Sequence, residues 1–208
     1  MAHVLALSHI TIRREDSVLL SIDAVIRAGE VLTVMGPSGS GKSTLLAFVA
    51  GLLDPAFSAE GQVLLDGRDV TQLPPESRRI GLLFQDPLLF PHLSVASNLL
   101  FGVARNAADR QKKVGDALAA AGLDGYGSRD PATLSGGERA RVALMRVLLS
   151  EPHALLLDEP FAKLDLALRN EIRAFVFERV RAAGLPTLLV THDAADAEAA
   201  GGQVVHLA

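Results

Sequence analysis

Apolar positions along the chain follow two kinds of spacing. Over the first thirty residues, apolar and polar side chains alternate, as in Ile10-Thr11-Ile12-Arg13 and Ser21-Ile22-Asp23, with Glu15-Asp16-Ser17 between them. Alternation around a polar turn predicts antiparallel strands with one buried face. After Gly29-Glu30 the pattern changes. Val31-Leu32-Thr33-Val34-Met35 is a continuous apolar run that leads straight into a glycine-rich segment, and such runs belong to strands covered on both faces. Similar runs recur at Ile80 to Phe84, Ala154 to Leu157, Thr187 to Val190 and Val204 to Leu207. Together they predict a parallel sheet.

Between residues 87 and 150 the spacing becomes helical, with an Ala-rich stretch from Asp109 to Ala121 and a second helix from Glu138 to Ser150. Gly125-Tyr126-Gly127 and Pro131 interrupt the pattern, which reads as an inserted helical lobe. Apolar and charged residues mix at helical spacing again from Asp165 to Ala183, and Gly184-Leu185-Pro186 ends that run before the next strand. No internal repeat or low-complexity linker interrupts the chain. The expectation is an α/β protein.

Bulk properties narrow the function. The chain is 49% hydrophobic with a mean hydropathy of +0.29, high enough to prompt a search for a membrane span. Its apolar runs fall far short of the ~20 residues needed to cross a bilayer, and the N-terminus lacks a basic segment followed by a secretory apolar core. A cytoplasmic protein is expected. With no cysteine, disulfides, a Cys-ligated zinc and a thiol nucleophile are excluded. A net charge of −4 and a pI near 5.8 give no global attraction to nucleic acid or to an anionic membrane.

The chemistry begins at Gly36-Pro37-Ser38-Gly39-Ser40-Gly41-Lys42-Ser43. Glycines at this spacing let consecutive backbone N–H groups turn inward around phosphate oxygens at a helix N-terminus. Lys42 supplies a cation, the Ser43 hydroxyl is available to Mg²⁺, and Thr44 opens the helix Leu45 to Ala50 whose dipole favours the anion. Asp158 ends the apolar run Ala154 to Leu157, so a strand fixes the direction of a carboxylate able to hold Mg²⁺. Glu159 follows at once. Beside a metal-bound γ-phosphate, this second carboxylate is placed to act as general base on the attacking water. In Leu134-Ser135-Gly136-Gly137-Glu138, Ser135 and Glu138 have the spacing of a capping box. The two glycines add open access to backbone N–H groups, so this helix start can also hold an anion.

The ordered set of phosphate loop, Gln85, Leu-Ser-Gly-Gly-Glu at 134–138, Leu-Leu-Leu-Asp-Glu-Pro at 155–160 and His192 resembles the nucleotide-binding subunits of ABC transporters over nearly the whole chain. The resemblance implies a P-loop NTPase (RecA-like) core with a mostly parallel sheet, an N-terminal antiparallel β subdomain and an inserted α-helical subdomain. The core would be 1–86 and 151–208, the helical signature lobe 87–150, all within one nucleotide-binding domain. It implies hydrolysis of ATP with Mg²⁺, coupled to transport. Two copies would sandwich two ATP molecules, with Ser135, Gly136, Gly137 and Glu138 of one facing the phosphate loop of the other. Further partners implied are transmembrane permease subunits on the inner face of the membrane and a solute-binding protein, with no nucleic acid. By the same resemblance, Gln85 touches Mg²⁺ and the nucleophilic water, His192 contacts the γ-phosphate, and Asp165 links the two active sites. Ala162 stands where that linking loop usually has serine or threonine.

The segment Gln85 to Val95 is similar to the importer branch serving small solutes such as spermidine, sulfate, iron or thiamine. In that branch it lies under the permease's coupling helix, which makes Phe90 and its apolar neighbours an expected docking surface. Residues 11 to 17 contain no aromatic to stack on adenine; either the guanidinium plane of Arg13 or Arg14 substitutes or the base is loosely held. Glu138 replaces the commoner glutamine and adds negative charge near a shared phosphate. The chain stops one strand after His192, at Leu207-Ala208, with no C-terminal regulatory domain expected, and this shortness is similar to an uncharacterised thiamine-type subunit group. Competing classes are an exporter-type subunit, a non-transport ABC ATPase acting on nucleic acid, and a small phosphoryl-transfer kinase. The nucleic-acid class carries long coiled-coil inserts or paired cassettes, and a kinase has no use for Ser135-Gly136-Gly137.

Overall fold

The computed structural model describes residues 2–207; Met1 and Ala208 lie outside the description, as does the side chain of Ala167. Strands β1 (Val4–Arg14) and β2 (Ser17–Arg27) form the expected antiparallel hairpin. Strand β1 also pairs with β4 (Phe57–Leu65), which continues to the short β5 (Arg68–Asp69), giving the sheet order β2-β1-β4-β5. Buried Leu5 and Leu7 are followed by buried Ile10 and Ile12, a three-residue step that period-two geometry alone would turn outward. The register shifts between Leu7 and Ile10, with His9 at φ 52°. This bulge resets the alternation so that all four side chains share one face.

The second sheet has the order β6-β7-β8-β3-β9, from β3 (Val31–Met35), β6 (Ile80–Leu83), β7 (Ala154–Asp158), β8 (Thr187–Thr191) and β9 (Gln203–His206). Pairs β7·β8, β8·β3 and β3·β9 are parallel, and Leu155, Leu156, Leu188, Leu189 and Val34 are completely buried. Strand β9 departs from the expectation of burial on both faces. It forms an edge of the sheet, with Val204 exposed at 38%, so its apolar residues have a strand on one side only.

By internal contacts the chain divides into two units, one of residues 1–82, 153–159 and 177–208, the other of residues 83–152 and 160–176. The first holds both sheets except Leu83 at the end of β6, and one core built from Leu5, Ile12, Leu45, Val63, Leu156 and Leu188, among others. Helix α1 (Lys42–Ala50) follows β3 across the glycine loop. Its C-terminal end is held by Arg78, only 5% exposed. Nη1 donates to the carbonyls of Phe48 and Val49, both at 2.9 Å, Nε to that of Leu73 at 2.8 Å, and Nη2 to that of Thr71. A cation at a helix C-terminus is favoured by the dipole and satisfies carbonyls that the helix leaves unpaired. Replacing Arg78 with alanine strands several buried acceptors, and should cost about 3 kcal/mol, read as a urea midpoint lower by about 1 M. An unchanged midpoint would show that water replaces the guanidinium without loss.

The second unit is helical. Helices α2 (Val95–Gly102), α3 (Arg110–Ala120) and α4 (Gly136–Leu148) pack around Val95, Leu99, Val114, Leu118, Val142 and Met145. Ser94 caps α2 by accepting from the Ser97 amide, and buried Asn98 donates to the carbonyls of Phe90, Leu93 and Ser94. Helix α5 (Leu166–Ala182) starts in this unit and ends in the first, where α6 (Ala194–Ala200) also lies.

Candidate functional site

The glycine loop between β3 and α1 is shaped by its own backbone. Gly39 and Gly41 have φ of 85° and 88°, a left-handed region that other residues enter at a cost. At Gly41 a Cβ would also lie 2.7 Å from the Leu19 side chain, so only glycine fits. Because Gly41 stands at the N-cap position, α1 starts without a side-chain cap. Its first N–H groups are therefore free for an anion. Buried Lys42 directs Nζ along the loop, donating to the carbonyls of Gly36 at 2.9 Å and Pro37 at 2.8 Å. The buried Ser40 hydroxyl has no hydrogen-bond partner among the described residues. Pro37, Ser38 and Gly39 are exposed and Thr44 is half-buried.

The carboxylates come from the sheet. Asp158 ends β7 opposite Val190 of β8, and its Oδ1 accepts from the Ser43 hydroxyl at 3.1 Å. Burial pushes the Asp158 carboxyl above its ordinary range; the Ser43 hydroxyl pulls it down, Glu159 pushes it up again, and Lys42 pulls it down. Hydroxyl and carboxylate oxygens are the donors that hard Mg²⁺ prefers, and a cation there would relieve the half-buried charge. Glu159 has φ 43°, left-handed in a non-glycine residue and thus a strained position of the sort found at working sites. Its amide is fixed by the Val190 carbonyl at 3.0 Å, while its Oε2 lies 3.1 Å from His192 Nδ1. The turn carrying His192 is braced behind it. Thr191 Oγ1 donates to buried Asp196 at 2.8 Å and accepts from the Asp193 amide at 3.1 Å.

The glycine loop and Glu159 border a cavity of about 330 Å³. Ser38, Gly39, Lys42 and Ser43 form one part, Glu159 another, and Arg14, Leu19 and Phe57 a third. Phe57 was not legible as a site residue. It begins β4 and pairs with Arg14 of β1, so an aromatic reaches the pocket from a strand more than forty positions further along the chain. Of the two arginines expected to replace a missing aromatic, Arg14 lines the cavity. A larger cavity of about 470 Å³, bordered by Gly29, Val31, Arg181 and Gly202, contains neither the glycine loop nor the paired carboxylates. Chemistry favours the smaller one.

The remaining residues of interest lie in the helical unit. Gln85 and Asp86 are exposed beyond β6, with Asp86 paired to Lys163 at 2.6 Å. The Ser135 hydroxyl accepts from the Glu138 amide at 3.2 Å, and Glu138 accepts from the Ser135 amide at 2.6 Å, completing the capping box. That backbone bond, against a smaller opposing effect of burial, holds the Glu138 carboxyl below its ordinary range, helped by Ser135, Tyr126 and Arg129. A Cβ at Gly137 would lie 2.6 Å from the Leu168 side chain; glycine permits that approach. Asp165 caps α5 by accepting from the Leu168 amide at 3.0 Å. Phe90 is half-buried beside Phe101, 4.7 Å between ring centroids, whereas Leu88 and Phe101 are exposed at 56% and 69%.

An α/β fold with a glycine loop after a buried strand, a helix start open to anions and paired carboxylates at the end of β7, one strand removed from β3, defines a P-loop nucleotide-binding protein. The chain belongs to the ABC transporter family, whose profile matches residues 19–162, and it is an ATP-binding ATPase subunit of that family. It is 46% identical over 199 residues to the uncharacterized ABC transporter ATP-binding protein YnjD of Escherichia coli, spanning 94% of this chain and 92% of that one. It is 47% identical over 197 residues to the thiamine import ATP-binding protein ThiQ of Cereibacter sphaeroides, spanning 93% and 84%. To the sulfate/thiosulfate import ATP-binding protein CysA of Mycobacterium tuberculosis it is 43% identical over 201 residues, 95% of this chain but 56% of the relative. Among the described residues no helix is long and apolar enough to cross a membrane.

Proposed function

We propose that this chain powers import of a small solute by closing on two ATP molecules as a dimer against membrane permease subunits. It would work on the inner face of the membrane, in a system that includes a solute-binding protein. The observation that carries the catalytic part is the convergence of Lys42, Ser43, Asp158, Glu159 and His192 around one glycine loop. The import part rests on relatives named for import of thiamine and of sulfate or thiosulfate.

In this reading Gly36 to Thr44 bind the phosphates, Lys42 leaving its loop carbonyls for the β- and γ-phosphate oxygens. Ser43 and Asp158, with Gln85, would hold Mg²⁺, whose charge would offset that of the phosphates. Glu159 takes a proton as the water oxygen bonds to the γ-phosphorus. The bond from that phosphorus to the bridging oxygen breaks, leaving ADP and phosphate. His192 orients Glu159 and meets the γ-phosphate. Ser135, Gly136, Gly137 and Glu138 of a second copy complete each site, the N–H groups of Gly136 and Gly137 being those that the capping box does not use, and Asp165 passes the state of one site to the other. Phosphate released from ATP with Mg²⁺ and no added acceptor is the expected result; product formed only when an acceptor is supplied would mean a kinase. Copurification with a permease encoded beside this chain, and solute uptake by vesicles containing both, tests the transport assignment.

Phe57 and Arg14 suit the adenine. Base stacking on an aromatic contributes about 1–3 kcal/mol, so Phe57→Ala should raise the Kd for ATP about tenfold with kcat nearly unchanged. Fluorescent-nucleotide titration reads this directly. An unaltered Kd would place the base elsewhere.

A further inference from the structure

Outside the ATP site, three side chains that the reaction does not use converge on one point. His3 precedes β1, Asp66 lies in the turn between β4 and β5, and His153 stands just before β7. Nδ1 of His3 is 2.8 Å from Asp66 Oδ2, and Nδ1 of His153 is 3.2 Å from the same oxygen. The imidazole rings stack with centroids 3.9 Å apart and planes 23° from parallel. One ligand atom from each residue lies within 4.8 Å of the others. We propose that His3, Asp66 and His153 bind one divalent transition-metal ion of borderline softness, zinc being the best match.

The donor set selects the metal. Two imidazole nitrogens and one carboxylate oxygen suit zinc, cobalt, nickel or copper, whereas magnesium and calcium prefer oxygen throughout. With bonds of about 2.0–2.2 Å, a tetrahedral zinc spaces its ligand atoms about 3.3–3.5 Å apart. The contacts at 2.8 and 3.2 Å need to open only a few tenths of an ångström. Without an ion, Asp66 Oδ2 accepts from both Nδ1 atoms when each carries its proton; with those protons lost, three lone pairs face one point. A cation at that point satisfies all three.

The surroundings fix each ligand. The Val4 amide donates to Asp66 Oδ1 at 3.0 Å, which leaves Oδ2 turned toward the imidazoles, the outer-shell support that orients metal ligands. The Asp66 amide donates to the Val4 carbonyl at 2.9 Å, and the His153 amide to the Arg79 carbonyl at 2.8 Å. Side-chain exposures of 22%, 37% and 27% for His3, Asp66 and His153 leave room for an ion to enter and for a water as fourth ligand. The ion would pin the start of β1 to a turn 63 positions away, and that turn to a segment 87 positions beyond it.

The test uses the full chain with no affinity tag, stripped with a chelator and free of nucleotide. Zinc chloride titrated by calorimetry should bind one ion per chain with a Kd of about 1 µM or tighter. At a hundredfold excess over that Kd, Tm should rise by about 5–10 °C, and magnesium should produce no such rise. His3→Gln and His153→Gln retain polar side chains and should each weaken zinc binding at least about tenfold, with unchanged circular dichroism. X-ray absorption at the zinc edge on the unaltered chain counts imidazole ligands whether or not those variants fold; two are expected. No saturable binding, equal binding by both variants, or an imidazole count other than two would overturn the proposal and leave the trio as a hydrogen-bonded clasp.

Discussion

Replacing Glu159 with glutamine is expected to lower ATP turnover at least a hundredfold while ATP still binds, and to trap an ATP-bound dimer. The variant keeps the size and backbone of the side chain but cannot take a proton, and a positioned general base contributes roughly 10²–10⁴ in rate. Glu159 Oε2 faces His192 Nδ1 at 3.1 Å and its amide is fixed to the Val190 carbonyl at 3.0 Å, so the substitution changes chemistry more than position. Steady-state phosphate release gives the rate; size-exclusion chromatography with ATP and Mg²⁺ gives the dimer. Hydrolysis near the normal rate would remove Glu159 from the role of base. A slow enzyme that stays monomeric with ATP would keep the base and remove the sandwich.

Asp158→Asn should move activity and stability in opposite directions. Turnover should fall by about a hundredfold or more, since the variant offers Mg²⁺ a neutral amide in place of a carboxylate. The carboxyl of Asp158 is raised by burial, then lowered by Ser43, raised by Glu159 and lowered by Lys42, with a net upward shift. A raised carboxyl binds its proton more tightly in the folded chain. Its contribution to stability is therefore complete below the unfolded carboxylate pKa and lost as pH rises through the higher folded value. At pH 8 the ionised, half-buried group burdens the fold, and without nucleotide or metal the variant should melt about 2 °C higher than the parent. That advantage should shrink as pH falls into the carboxylate range, where Asp158 takes up its proton. A variant less stable than its parent at pH 8 would show that the bond from Ser43, at 3.1 Å, outweighs the burial of charge.

What was legible in the sequence was whatever repeats locally. Val31 to Met35, Ala154 to Leu157 and Thr187 to Val190 declare themselves as buried parallel strands because their continuous apolar character needs cover on both faces. The phosphate loop and the Ser135–Glu138 box were equally plain, since their physics is confined to a few consecutive residues. Strand β4 was not. Its Phe-Ser-Ala-Glu-Gly-Gln start is broken by Gly61 and half exposed, so its strand character comes from pairing with β1. For the same reason Phe57 went unseen, because a search near Arg14 in the chain misses an aromatic brought beside it by strand register. Strand β9 misled in the opposite way, its apolar residues suggesting cover on both faces where the strand is largely exposed at the sheet's edge. The contact between Glu159 and His192, and that of His3 and His153 with Asp66, depend on topology alone.

The close approach of Gly137 and Leu168 has a mechanical consequence. With a leucine filling the space that a Cβ at 137 would need, the first turns of α4 and α5 mesh like a tooth and its gap. Any side chain larger than glycine at 137 would have to displace Leu168 and, with it, the first turn of the helix that Asp165 caps.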